Sequence, residues 1–281
     1  MSRVRNTGTH GYRAALAFGA TLSVFAAFAQ NALPIPDTLS GSNMDLTIQE
    51  GTWEFHPGEV IPTYGYNGDL LGPTIILEQG QTVTLNVTNT LPDLTTTHWH
   101  GLHVSAENDG GPHSLIYPDS TWSPTFTVMN RASTFWYHPH GIGLTDYQVS
   151  KGLAGMIIVR DDEEAALPLP RTYGVDDIPL VVQDRRFLAN GSFVFGPFGD
   201  SVLVNGTPRP YVDLPAQVVR LRLLNGSNSR IYMFGFDDDR QFAAPAQKHV
   251  ILCGRHHGQQ REIAHHRIAD VLLHRIGCGP V

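Results

Sequence analysis

The sequence predicts an all-β protein, a sandwich or a barrel, made of two successive units. Three observations support this class: the composition, the alternation of apolar residues, and the regular spacing of short apolar segments. Among 281 residues, 28 are Gly and 19 are Pro, and only 16% are charged. Abundant turn formers with little charge suit many short strands, and they are a poor match to a helical bundle or a disordered chain.

The N-terminal residues have the order of an export signal. Three arginines, Arg3, Arg5 and Arg13, precede an apolar run over residues 14–29 that ends in Ala-Phe-Ala. Basic residues, a short apolar run and a small-residue cleavage site predict a signal peptide over residues 1–29. We therefore expect an exported protein, periplasmic or extracellular, with no further segment able to span a membrane.

Residues 30–160 form the first predicted unit. Residues 82–88 alternate strictly between polar and apolar, which places on one face Val83, Leu85 and Val87. A short apolar run covers residues 155–159. Strands at a spacing of roughly ten residues indicate a sandwich or barrel.

A charged, proline-broken stretch after residue 160 predicts a linker into a second β-rich unit, residues 161–242. The amino-acid composition changes after Phe242: residues 243–281 hold six of the 14 His, both Cys and five basic residues. Strand alternation also stops there. This tail is interpreted either as a His-rich appendage or as a segment read out of frame, and the second interpretation is favoured.

Charge and cysteine content exclude several classes of protein. The formal net charge is -7, so the chain has no overall basic field, and we expect no nucleic-acid partner. The 2 Cys are too few for a disulfide scaffold or for a zinc site of four thiolates.

Two paired-His motifs carry the chemistry: His98-Trp99-His100-Gly101 and His138-Pro139-His140-Gly141. On a strand, residues i and i+2 project from one face, so each motif offers two imidazoles side by side. Neutral imidazole suits copper, zinc, iron or nickel. One such pair is expected by chance roughly 0.7 times in a chain of this His content, whereas two copies are far rarer. The motifs predict a metal site formed by His98, His100, His138 and His140.

Other aromatic and His residues near the motifs are expected to have structural roles. Trp99 and Trp136 are expected on the opposite strand face, in the core rather than in an electron relay. His103 has odd spacing from His100, so we expect it on the surface or behind the ligands.

These motifs resemble the N-terminal cupredoxin domain of multicopper oxidases, in particular the bacterial three-domain type of cuprous oxidases, spore-coat laccases and bilirubin oxidases. The resemblance covers about residues 40–242 and includes the segments Leu71 to Ile75, His98 to Val104, Asp109 to Pro112, Trp136 to Gly141, and Gly152 to Gly155. It implies Greek-key cupredoxin-like sandwiches, the second one incomplete. It also implies oxidation of a phenolic or cuprous substrate coupled to reduction of dioxygen to water.

The resemblance implies copper as the cofactor and assigns a role to each matching residue. His98 resembles the type 2 copper ligand, and the type 3 ligands are matched by His100, His138 and His140. Asp109 matches the acidic residue that supplies protons to the oxygen intermediate, a role suited to a carboxylate beside a metal cluster. The alternative for Asp109 is a turn residue before two glycines.

The chain also departs from the family pattern. A family member uses eight His in its trinuclear cluster, and four of them occur in matching motifs of this chain. Neither His-x-x-His-x-His nor His-Cys-His, which carry the remaining ligands and the type 1 site, occurs in the sequence. Cys253 and Cys278 are each followed by Gly and lack a neighbouring His.

The chain is therefore interpreted as the first domain and part of the second of a copper-dependent oxidoreductase, inactive on its own. The alternative is a copper-binding cupredoxin fragment without turnover. A zinc hydrolase is disfavoured, because His100 is followed by Gly-Leu-His and not by the Asp-His expected at such sites.

Overall fold

The computed structural model describes residues 31–189, 191–236, 250–253 and 265–267. The signal peptide predicted over residues 1–29 lies outside these residues, as does Cys278. The described part of the chain is all-β, as the sequence predicts, with two short helices. Neither of these helices is long or apolar enough to cross a bilayer.

Most elements of the described chain are short strands. In chain order the strands are β1 (Asn31–Ala32), β2 (Thr38–Ser40), β3 (Asn43–His56), β4 (Glu59–Tyr66), β5 (Thr74–Glu78), β6 (Thr82–Asn89), β7 (His98–His100), β8 (Ser120–Trp122), β9 (Thr125–Thr127), β10 (Ser133–His138), β11 (Gly155–Arg160), β12 (Asp177–Phe187), β13 (Phe193–Val194), β14 (Ser201–Val204), β15 (Thr207–Pro208), β16 (Pro210–Asp213), β17 (Val219–Asn225), β18 (Val250–Cys253) and β19 (His265–Arg267). The helices are α1 (Thr145–Lys151), which follows β10, and α2 (Asp162–Ala165), which follows β11.

The first unit is a sandwich of two five-stranded sheets. One sheet has the order β2-β5-β11-β10-β7, and the other has the order β4-β3-β6-β8 with β9 beside β6. The predicted alternation of β6 is confirmed, because Val83, Leu85 and Val87 are all buried in the core between the sheets. In the first sheet β7 is an edge strand, which leaves one side of the first His motif without a strand neighbour in that sheet.

The second unit has a sheet of order β15-β14-β12-β17-β18, with β13 beside β12, and a smaller sheet of order β1-β16-β19. Its core includes Ile178, Leu180, Leu221 and Leu223. Strand β1 runs parallel to β16, so residues near the start of the described chain join the second unit.

Two short segments of the tail are extended in the structure. Strand β18 pairs with β17, and β19 pairs with β16, both antiparallel. Both segments lie after Phe242, where the alternation of apolar residues in the sequence stops. The origin of the tail, as an appendage or an out-of-frame segment, stays a prediction.

The predicted linker is partly a short helix. The Asp161 side chain caps α2 by accepting from the Glu164 backbone N–H at 2.7 Å. Glu164 is itself buried and pairs with Arg220 of β17. This ion pair connects the linker helix α2 to strand β17 of the second unit.

Candidate metal centre

The first His motif and His138 lie on neighbouring strands, whereas His140 lies just beyond the end of β10, so the expectation that both residues of the second pair are on a strand is wrong. Strands β7 and β10 are antiparallel, with His98 opposite His138 and His100 opposite Trp136. Pairing in this register brings both predicted imidazole pairs to one edge of the first sandwich. The structure therefore brings together all four predicted ligands: His98, His100, His138 and His140.

His98 lies at the middle of this group. Its ring centroid is 5.5 Å from that of His100, 5.6 Å from that of His138 and 5.2 Å from that of His140. The rings of His138 and His140 are 6.1 Å apart. Within the described residues, no three His, Cys, Asp or Glu side chains form a closed site around a single ion.

One pair of nitrogens is at the distance expected of two ligands on one metal ion. The Nδ1 atom of His100 lies 3.0 Å from the Nε2 atom of His138. Two nitrogens that each bind a metal at about 2.0 Å are roughly 3 Å apart when the angle between them is near 100°. The same spacing allows a hydrogen bond between the two rings in the absence of metal.

Carbonyl groups orient two of the rings. The Nδ1 atom of His138 is 2.7 Å from the Pro139 carbonyl oxygen, and the Nδ1 atom of His98 is 2.8 Å from the Asp109 carbonyl oxygen. A carbonyl oxygen only accepts, so each Nδ1 carries the hydrogen and donates it. The Nε2 atom of each ring then keeps a lone pair, which is the form that binds a metal.

Asp109 is held beside His98 by a tight loop. Its carboxylate Oδ2 lies 3.3 Å from the Nδ1 atom of His98, and its side chain is 33% exposed. Gly110 follows with φ of +73°, and a Cβ there would stand 1.7 Å from the Thr97 carbonyl oxygen. Only glycine fits at this close approach, so Asp109 is both a turn residue and a neighbour of the site.

Burial controls the charge of His138. Desolvation by burial is the main reason that the pKa of His138 is lowered to about 3; the bond to the Pro139 carbonyl opposes this shift, and the other three imidazoles add to it. Without metal, His138 is therefore neutral over the whole physiological range, as a metal ligand must be.

The two tryptophans differ in position, and one sequence expectation is wrong. Trp99 is in the core as expected, stacked on Trp122 with an interplanar angle of 11°. Trp136 instead lies on the face of the imidazoles, with its ring centroid 3.9 Å from that of His138. The reason is the period of the strand: Trp136 is two residues before His138 and therefore shares its face.

Two of the glycine-containing motifs make room for one tyrosine. Tyr137 is fully buried, and its hydroxyl donates to the Pro73 carbonyl oxygen at 2.8 Å. A Cβ at Gly72 or Gly155 would lie 2.2 Å from atoms of this side chain. Both glycines therefore let β10 pack closely against its neighbours, and their role is structural.

A cavity of about 470 Å³ opens beside the His cluster. It is lined by His100, Trp136 and His138 from the first unit and by residues 227–229 of the second unit. His103 does not reach the cluster; it is exposed, and its backbone N–H donates to Asn130 Oδ1 at 2.8 Å. The surface position expected for His103 is thus the observed one.

Comparisons with known proteins agree with the motifs. A sequence model described as multicopper oxidase matches residues 47–164. The cell division protein FtsP of Escherichia coli (strain K12) is 38% identical over 267 residues, which are 89% of this chain and 57% of FtsP. The multicopper oxidase mco of Staphylococcus aureus is 38% identical over 215 residues, which are 74% of this chain and 48% of mco. The chain spans about half the length of the curated relatives it matches.

Solved structures support the same fold. The laccase-like multicopper oxidase CueO from an Ochrobactrum species superposes with a TM-score of 0.72 at 39% identity, covering 75% of this chain and 50% of CueO. The multicopper oxidase McoA of Aquifex aeolicus superposes with a TM-score of 0.69 at 37% identity, covering 74% of this chain and 48% of McoA. The expectation of cupredoxin-like sandwiches is confirmed.

Proposed function

Because this chain belongs to the multicopper oxidase family, we propose that its two His pairs bind copper as one side of a multinuclear copper site. The observation that carries the proposal is the 3.0 Å separation between His100 Nδ1 and His138 Nε2. Imidazole nitrogens suit copper, and this spacing suits two ligands on one ion.

Each residue then has a distinct task. His98 is the type 2 ligand, and the type 3 ligands are His100, His138 and His140. The Pro139 and Asp109 carbonyls keep the Nε2 lone pairs of His138 and His98 available. Copper, when bound, would supply the redox chemistry that couples a reductant to dioxygen.

Asp109 is the proposed proton donor. Reduction of dioxygen to water consumes protons, and a carboxyl group next to the cluster can deliver them. The Oδ2 atom of Asp109 is both partly exposed to solvent and 3.3 Å from His98. Asp109 can therefore take a proton from solvent water and, next to His98, pass it to oxygen that is being reduced at the copper site.

The chain by itself is proposed to bind copper without turnover. A family enzyme accepts electrons from a phenolic or cuprous substrate through a type 1 copper held by a Cys thiolate. No His-Cys-His string occurs in these 281 residues, so electrons have no such entry. Dioxygen reduction would then need ligands that these residues do not supply.

The basic and apolar N-terminal residues support export, and we propose a periplasmic or extracellular location. FtsP, which is 38% identical, is named a cell division protein, so a role in division without catalysis is a second candidate. If the four His bind no copper, the copper proposal fails and the role in division is the remaining candidate.

Equilibrium dialysis of the metal-free chain against Cu(II) tests the proposal. We expect bound copper in the wild type, no intense blue thiolate-to-copper band, and no oxygen uptake with a standard phenol. Replacing His98 and His100 with Ala should remove most of the copper, whereas replacing the exposed His103 with Ala should leave it in place. Copper binding that is equal in all three proteins would contradict the proposal.

A further inference from the structure

Three consecutive threonines precede the first His motif, and all are completely buried. Thr95, Thr96 and Thr97 each have 0% exposure. The Thr95 hydroxyl donates to Gln148 Oε1 at 2.8 Å, and the Thr97 hydroxyl lies 3.2 Å from the Tyr66 hydroxyl. Buried polar groups of this kind are retained only with partners, so each hydroxyl connects this segment to another element.

Thr96 has a different kind of partner. Its Oγ1 accepts a hydrogen bond from the backbone N–H of His140 at 2.6 Å. The bond joins a residue just before the first motif to the last ligand of the second motif. It thus links the two motifs directly, without passing through the metal or through the imidazoles.

The strand pairing explains why this bond is needed. The ladder between β7 and β10 ends at the pair His98 and His138. Two residues further along, the same antiparallel register would place His140 opposite Thr96. Strand β10 has already ended there, and Pro139 has no N–H with which to continue the ladder. The Thr96 hydroxyl therefore takes the place of a backbone partner for His140.

We propose that Thr96 is a positioning residue for the copper site, and this inference rests on the proposed function of the four His. Its hydroxyl holds the backbone of His140 against the start of β7. That contact sets the position of the His140 ring, 5.2 Å from His98 and 6.1 Å from His138. Thr96 does not bind copper itself, because its Oγ1 faces the His140 amide.

Thr96→Val tests the inference, because Val has a similar shape but no acceptor. We expect copper affinity to fall about 10- to 100-fold, the usual effect of losing a group that orients a ligand. The electron paramagnetic resonance spectrum of the bound Cu(II) should change as well. Thr96→Ser keeps the hydroxyl and should restore both readouts. If Thr96→Val does not fold, Thr96→Ala removes the same acceptor with less crowding, and the same loss is expected.

Thr97→Val is the matched control. Thr97 is equally buried, but its hydroxyl pairs with the hydroxyl of Tyr66, whereas that of Thr96 pairs with the His140 amide. It should lose stability while keeping wild-type copper affinity and spectrum. Wild-type affinity in Thr96→Val, an equal loss in Thr97→Val, or no rescue by Thr96→Ser would each overturn the inference.

Amide hydrogen exchange of the metal-free chain provides a readout independent of copper. Exchange at the His140 amide should be faster in Thr96→Val than in the wild type and in Thr97→Val. Unchanged exchange would overturn the inference even if copper binds. If the wild type binds no copper while this exchange is faster, the proposed function fails and Thr96 retains only a structural contact, which overturns its role at a copper site.

Discussion

The Nδ1 atom of His100 lies 3.0 Å from the Nε2 atom of His138, across two antiparallel strands. The two nitrogens differ in kind because the other nitrogen of His138 is occupied by the Pro139 carbonyl. In the metal-free protein His100 Nδ1–H can donate to the Nε2 lone pair of His138, and once this hydrogen is lost the two nitrogens stand at the separation of neighbouring metal ligands. Either ring alone offers one donor atom, whereas the two together can chelate one ion.

This relationship predicts that the His100→Ala and His138→Ala changes are not additive. Each single change should weaken Cu(II) binding by at least the roughly 10- to 100-fold typical of lost ligand support. The double variant should be only slightly worse than either single variant, since both remove the same chelate. Competition titration with a calibrated chelator gives the three affinities. Independent, fully additive losses would show that the two rings do not share an ion.

Gly110→Ala should damage both stability and the metal site. Gly110 and Gly143 have similar left-handed φ angles, +73° and +71°. A Cβ at Gly143 meets nothing within 4 Å, whereas at Gly110 it stands 1.7 Å from the Thr97 carbonyl. Gly143→Ala should cost about 1–2 kcal/mol for backbone conformation alone. Gly110→Ala should cost more and should move Asp109 away from His98, which lowers copper affinity. Equal unfolding temperatures and copper affinities in the two variants would refute the assigned clash.

The stability of the metal-free protein should fall in acid partly through His138. Its pKa is about 3 in the folded protein and near 6.5 in an unfolded chain. Between these values the unfolded state binds a proton that the folded state does not, so acid favours unfolding. The contribution approaches about 1.4 kcal/mol per pH unit. Urea unfolding at several pH values between 5 and 6.5 gives the free energy of unfolding as a function of pH. This free energy should depend less steeply on pH in His138→Asn than in the wild type. An unchanged slope would contradict the burial of a neutral imidazole.

The buried ion pair of Asp177 and Arg222 should matter far more than an exposed one. The two side chains are almost completely buried and form two hydrogen bonds of 2.6 and 2.8 Å. Asp177→Asn leaves a buried guanidinium without its counter-charge, which should cost about 3–5 kcal/mol. Glu163→Gln, in the exposed pair with Arg131, should have little effect on chemical denaturation. Similar small effects of both changes would refute the structural role of the buried pair.

Much of the fold and the four candidate ligands follow from local sequence rules. A strand places residues i and i+2 on one face, which predicts the buried row of β6 and the first imidazole pair, whereas His140 lies beyond the end of β10. The same rule, applied to Trp136 and His138, predicts the observed stack. The expectation that Trp136 faces away from the imidazoles contradicts this rule, although Trp136 does pack, partly buried, against a hydrophobic cluster that includes Met156 and Ile158.

Other features depend on contacts between distant parts of the chain. The bond from the His140 amide to Thr96 depends on the register of β7 against β10. The bond from His98 to the Asp109 carbonyl depends on the path of the Gly110 loop. Neither has a signature in periodicity. The run of three threonines before His98 was the one available signal, because buried hydroxyls beside a ligand need partners.

X-ray absorption of the copper-loaded chain tests the central claim most directly. The claim is that His98, His100, His138 and His140 bind copper and that no thiolate takes part. We predict nitrogen scatterers with an imidazole pattern at roughly 2.0 Å, and no sulfur scatterer at roughly 2.3 Å. The imidazole pattern should be lost when the four His are replaced by Ala. A sulfur neighbour in the wild type, or an unchanged imidazole pattern in the variant, would contradict it.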